Sequence, residues 1–112
     1  MKKVQLQLTA RQLNSLVYCF NFINQVYAKS REEKTTKSIL DEVILKVKKK
    51  HLEVESSINT IFSKPKVSKF SFKYYEADAL EKYVLFAEEQ SLNEYDRNVV
   101  LFIKSKLNQQ LA

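Results

Sequence analysis

The side chains with the widest chemical repertoire are scarce here: 112 residues hold one histidine, His51, and one cysteine, Cys19. A Ser-His-Asp or Cys-His nucleophile has to use His51 or do without. Glu55 follows one helical turn later, so imidazole and carboxylate share a face, as in a metal site or a proton switch near neutral pH. Zinc takes three or four ligands, however, and no Cys-x-x-Cys or His-x-x-x-His supplies the others. The sequence assigns His51 to the edge of a core, satisfied by a neighbouring carbonyl or hydroxyl. Cys19 has no partner for an internal disulfide and lies on an apolar arc, where a thiol acts as a small buried residue. A lone reduced thiol fits the cytoplasm. No catalytic, metal-binding or cofactor-binding residue is nominated, and no cofactor is expected.

Glycine is absent, against roughly eight in an average chain of this length. Phosphate-cradling loops, dinucleotide turns and the strained nucleophile elbow all need backbone without a Cβ, so those templates are excluded.

Lysine is the abundant reactive group. Lys64, Lys66, Lys69 and Lys73 follow one another with no acid between them, and on a strand Lys69 and Lys73 face outward with Ser71 and Tyr75. A basic sheet face carrying an aromatic suits nucleic acid. Against it, Phe70 and Phe72 point to the other side, and edge-strand lysines also serve to prevent sheet-to-sheet association. The charge is split along the chain: Glu76 to Asp96 holds seven acids and one base, net −6, and the remainder nets +12, giving the overall +6. Such a split steers a charged partner or head-to-tail self-association.

These groups are positioned by a simple order of elements. Val4, Leu6 and Leu8 alternate with Gln5, Gln7 and Thr9, the period of a half-buried strand. Thr9-Ala10-Arg11-Gln12 is a capping box that starts a helix at Ala10. Leu13, Leu16, Val17, Phe20, Ile23 and Tyr27 form one face of it, widened by Cys19, Phe22 and Val26, so the helix is expected to run to Ala28 at the centre of the core. A polar stretch, Lys29 to Thr35, follows as a loop.

The second helix is expected from Thr35 or Thr36 to Ser63, roughly 40 Å long at 1.5 Å per residue. Its seam is Leu40, Ile44, Val47, His51, Val54, Ile58 and Ile61. Lys46, Lys48 and Lys49 point away from that seam, and Leu45 and Leu52 share the outer face. Phe70, Phe72 and Tyr74 alternate with lysine and serine as a second strand, antiparallel to the first. A third helix buries Ala77, Leu80, Tyr83, Val84 and Ala87. Ser91-Leu92-Asn93-Glu94 caps a fourth, with Leu92, Tyr95, Val99, Phe102, Ile103 and Leu107 inward.

The fold class is therefore α+β, mainly α: four helices and a two-stranded antiparallel ribbon in the order β-α-α-β-α-α. It forms one domain over 1–112; its similar β-α-α halves, 1–63 and 67–112, match at an offset of 66 or 67 residues, a one-residue slip that a bulge in a true duplication or an accident of pattern would equally produce. The longest apolar runs are five residues against the ~18 that span a bilayer, and Gln5 and Gln7 interrupt any export signal, so neither membrane nor secretion is expected.

Two function classes compete. The leading one is a small non-catalytic protein-interaction or scaffold module that self-associates, as a dimer first, through Leu45, Leu52 and Lys49 or the free edge of the ribbon. The alternative is a nucleic-acid-binding protein using Lys64, Lys66, Lys69, Lys73 and Tyr75.

Overall fold

Thr9 sets the frame. In the computed structural model, which describes residues 3–57 and 67–112, strand β1 (Val4–Thr9) passes into helix α1 (Ala10–Cys19) without a loop. The Thr9 amide donates to Gln12 Oε1 at 2.9 Å and the Gln12 amide to Thr9 Oγ1 at 3.2 Å, closing the capping box. The remaining elements are a 3₁₀ helix (Phe20–Gln25), α2 (Arg31–Ser57), β2 (Val67–Phe72), α3 (Tyr74–Glu88) and α4 (Glu94–Leu111). The molecule is α+β and mainly helical, with β1 and β2 paired antiparallel in the order β-α-α-β-α-α.

Register puts Val4 opposite Phe72, Leu6 opposite Phe70 and Leu8 opposite Ser68. All six are buried, so one side of the ribbon forms a lid over the helices. Beneath it lie Leu13, Leu16, Cys19 and Phe20, joined by Val43 and Val47 of α2, Leu80 and Val84 of α3, and Ile103 and Leu107 of α4. A lone ribbon is marginal in water; burying Leu6, Leu8, Phe70 and Phe72, each worth roughly 1.5–3 kcal/mol, is what holds it.

Several expectations are corrected. α1 stops at Cys19 and tightens into the 3₁₀ helix, leaving the helical path at Val26 (φ −85°, ψ 119°), instead of running to Ala28. The Tyr83 hydroxyl donates to the Cys19 carbonyl, which competes with the amide one α-helical turn on, and the run Phe20-Asn21-Phe22-Ile23-Asn24 is poor in strong helix formers. Tyr27, assigned to the core face, is consequently 80% exposed.

α2 begins at Arg31, not after Thr35. Ser30 Oγ accepts from the Glu33 amide at 3.1 Å, and Glu33 Oε2 accepts from the Lys29 amide at 3.1 Å, a polar cap that stabilises a first turn with no apolar residue. The expected continuation through Ile58 and Ile61 to Ser63 lies outside the described residues.

β2 ends at Phe72, so its inner face is Ser68, Phe70 and Phe72. Tyr74 opens α3 and is exposed, because Glu76 Oε1 accepts from the Lys73 amide at 2.8 Å and turns the chain there. α4 is capped by Asn93, whose Oδ1 accepts from the Asp96 amide at 2.7 Å, two residues beyond the expected Ser91. Val100 takes the inward position given to Phe102, and Tyr95 and Phe102 are each 37% exposed. Arg11 lies 4.4 Å over the Tyr95 ring, which keeps that aromatic at the surface.

The two strand-to-helix passages correspond cap to cap at an offset of 64 residues, Thr9 with Lys73 and Gln12 with Glu76, not at the expected 66 or 67, because α3 starts at Tyr74, earlier than the pattern placed it. The same step pairs the buried Leu13 with Ala77, Ser15 with Ala79 and Leu16 with Leu80. No described residue has positive φ, so every described turn is made without the left-handed region. Among the described residues, no helix is long and apolar enough to cross a membrane.

Candidate nucleic-acid interface

On α2, residues 46, 49, 50 and 53 follow the three-and-four spacing of one helix face. That face looks onto the outer edge of β2. Lys46 Nζ donates to the Ser71 carbonyl at 2.7 Å and stands 5.0 Å over the Phe72 ring. The result is an open cleft of about 430 Å³ lined by Lys3, Lys46, Lys49, Lys50 and Lys69, together with Phe70, Ser71 and one carboxylate, Glu53. Lys50 and Glu53 approach to 3.9 Å. Five ammonium groups around one cleft repel one another, and a multivalent anion relieves that repulsion while releasing its own counterions.

Lys73 lies just past the end of β2, 5.7 Å over the Tyr75 ring. Its ammonium is held above the ordinary lysine range, first by the hydrogen bond to Tyr75 and then by the charges of Tyr75, Glu76 and Glu42. Of the expected basic set, Lys69 lines the cleft, while Lys73 and Tyr75 pair with each other. Lys64 and Lys66 lie outside the described residues. Lys49, assigned with Leu45 and Leu52 to a self-association surface, lines the same cleft as Lys69. Lys3, Lys46 and Lys50 were missed. They are far from Lys69 in sequence and share only their charge, so no local spacing reveals the group.

Leu45 and Leu52 stand 69% and 63% exposed on the neighbouring ridge of α2. The ribbon's edges are not open along their length. Gln110 Oε1 accepts from the Gln5 amide at 2.8 Å while its Nε2 donates to the Gln5 carbonyl at 2.7 Å, and Lys46 occupies the Ser71 carbonyl opposite. A side-chain amide thus takes the place of a third strand beside Gln5.

His51 is largely buried. Its Nε2 lies 2.6 Å from Asn14 Oδ1 and 3.2 Å from Glu55 Oε1, linking α2 to α1 through an amide oxygen. Burial, and secondarily Asp96, raises the Cys19 thiol to about 11, so it is protonated at neutral pH. The Tyr83 phenol beside it is raised too, by burial and then by Cys19. No group of three or more metal-ligating side chains gathers among the described residues.

The acidic stretch is partly neutralised where it stands. Asp78 pairs with Lys82 at 3.1 Å and Glu88 with Lys104 at 3.0 Å. Arg97 closes the end of α3, donating to the carbonyls of Glu88 at 2.6 Å and Gln90 at 3.1 Å. A second cleft, about 410 Å³, opens between α2 and α3 over Leu40, Tyr83 and Phe86. Its charged lining is balanced, Glu32 and Glu33 against Lys37 and Lys82, so it selects neither sign.

Comparison with known proteins leaves the question with this geometry: no family model, curated protein or solved structure matches the chain.

Proposed function

We propose that this chain is a small non-catalytic binding module whose ligand is nucleic acid, held by its phosphates along α2 and β2. The observation that supports the reading is that Lys3, Lys46, Lys49, Lys50 and Lys69 line one cleft with a single carboxylate. Lysine is a point-charge phosphate binder, so it positions a backbone without selecting sequence.

Fluorescence anisotropy with a labelled mixed-sequence oligonucleotide at low salt is the test. Lys49→Glu with Lys69→Glu is expected to remove most binding, whereas Lys34→Glu with Lys82→Glu, away from the cleft, retains it. Equal losses from the two pairs, or no binding by the unaltered protein, would sink the proposal.

Self-association stays as a second reading because Leu45 and Leu52 are both well exposed on one helix face. Two copies of α2 laid face to face would oppose lysine to lysine, so a contact there favours an acidic counter-surface on the other copy. Light scattering over micromolar concentrations decides it. A self-associating protein is expected to dissociate on Leu45→Lys with Leu52→Lys, and a monomer throughout removes the reading.

A further inference from the structure

The sheet's own phenylalanines are buried and unavailable to stack on bases, yet the other edge of the ribbon carries an aromatic from a different element. Between β1 and α4 lies a cleft of about 480 Å³ lined by Gln5, Gln7, Thr9, Gln12, Phe102 and Lys106, among others. Phe102 is 37% exposed there, with Lys106 Nζ 5.7 Å from its ring. The Gln7 amide is exposed and makes no hydrogen bond among the described residues, so it keeps both donor and acceptor for a ligand.

This cleft adjoins the lysine cleft. Gln5 lines the first and Ser71 the second, and Gln5 Nε2 donates to Ser71 Oγ at 3.1 Å across the solvent face of the ribbon. Cations therefore flank the ribbon on both sides, Lys46, Lys49 and Lys50 from α2 and Lys106 from α4.

We infer that the ligand is a single strand, its phosphates following the lysine cleft while an unstacked base enters the β1–α4 cleft against Phe102 and the Gln7 amide. This rests on the nucleic-acid reading above and narrows it. A duplex keeps its base faces stacked inside and offers nothing to an exposed aromatic, whereas a splayed base presents a π-face to Phe102 and hydrogen-bonding edges to a primary amide. The amide is the side-chain group that pairs in two-pronged fashion with an adenine edge, so purine-rich strands are the favoured probe.

The test uses the full chain with strands of about twelve nucleotides, ribo and deoxyribo, and the matching duplex at one salt concentration. Either single strand is expected to bind about tenfold or more tighter than the duplex. Phe102→Leu keeps apolar bulk but removes the π-face, and is expected to weaken single-strand binding about tenfold with the duplex and the salt slope unchanged. Gln7→Met, on the exposed ribbon face, removes the donor and acceptor at constant charge and should act in the same direction. Equal affinity for strand and duplex, inorganic polyphosphate competing as well as the strand at equal charge, or wild-type binding by Phe102→Leu overturns the base cleft. In each of those cases a steep salt slope leaves the lysine proposal standing. No oligonucleotide binding at any salt overturns both.

Discussion

Neutralising Lys49 and Lys69 with glutamine offers the sharpest test of the lysine cleft, because it changes charge number without inserting repulsion. Five lysines line the cleft, and if each neutralises one phosphate of a single strand, log K falls against log salt with a slope of about −3.5. That slope means roughly a hundredfold loss of affinity between about 50 and about 200 mM salt. Lys49→Gln with Lys69→Gln leaves three contacts and a slope of about −2, so the two proteins should differ most at low salt and converge as salt rises. Both side chains are exposed and make no hydrogen bond or ion pair among the described residues, so melting temperatures should coincide. Anisotropy titrations at four or so salt concentrations give the slopes directly. An unchanged slope in the double variant, with affinity lowered equally at every salt, refutes the counterion argument and returns Lys69 to guarding the strand edge.

Two further outcomes concern stability. Ser68 is buried on the ribbon's inner face and its Oγ has no hydrogen-bond partner. Ser68→Ala removes an unpaired buried hydroxyl and is expected to stabilise by about 1 kcal/mol, a rise of roughly 4–8 °C in Tm by thermal circular dichroism; a fall would show that the hydroxyl is satisfied in solution. Burial, and secondarily Asp96, pushes the Cys19 thiol up from about 9 to about 11. An acid whose folded pKa is raised is protonated preferentially in the native state, so its contribution is fully present below pH 9 and disappears as pH climbs through about 11. That difference corresponds to about 3 kcal/mol, seen as a falling urea midpoint over that window, and Cys19→Ala should flatten part of the fall. An identical alkaline profile in the variant would mean that the thiol is not what titrates.

Local signals carried most of the architecture. The Val4-Leu6-Leu8 alternation, the Thr9–Gln12 box and the Phe70–Phe72 pair each specify their own element, and two antiparallel helices force the returning strand to lie beside the first. The errors arose where tertiary contact overrides pattern. Nothing within Leu13–Tyr27 announces that a phenol from α3 will take the Cys19 carbonyl and end the helix there. The start of α2 is written in the polar cap Ser30-Arg31-Glu32-Glu33, which apolar periodicity does not register because that turn has no apolar face. The candidate site was the least legible part. Lys69 was placed on an outward strand face, but Lys46, Lys49 and Lys50 join it only because α2 lies against that edge. Phe102, assigned inward, became informative by being partly outside.

The glutamine fastened to Gln5 carries a further consequence for handling the protein. Gln110 sits in the last turn of α4, so trimming the chain by three residues would strip both backbone groups of Gln5 of their covering. Proteolytic nicking at that end, or a tag that unwinds the final turn, should therefore leave secondary structure nearly intact while turning a well-behaved solution turbid, since a bared β edge recruits its own kind.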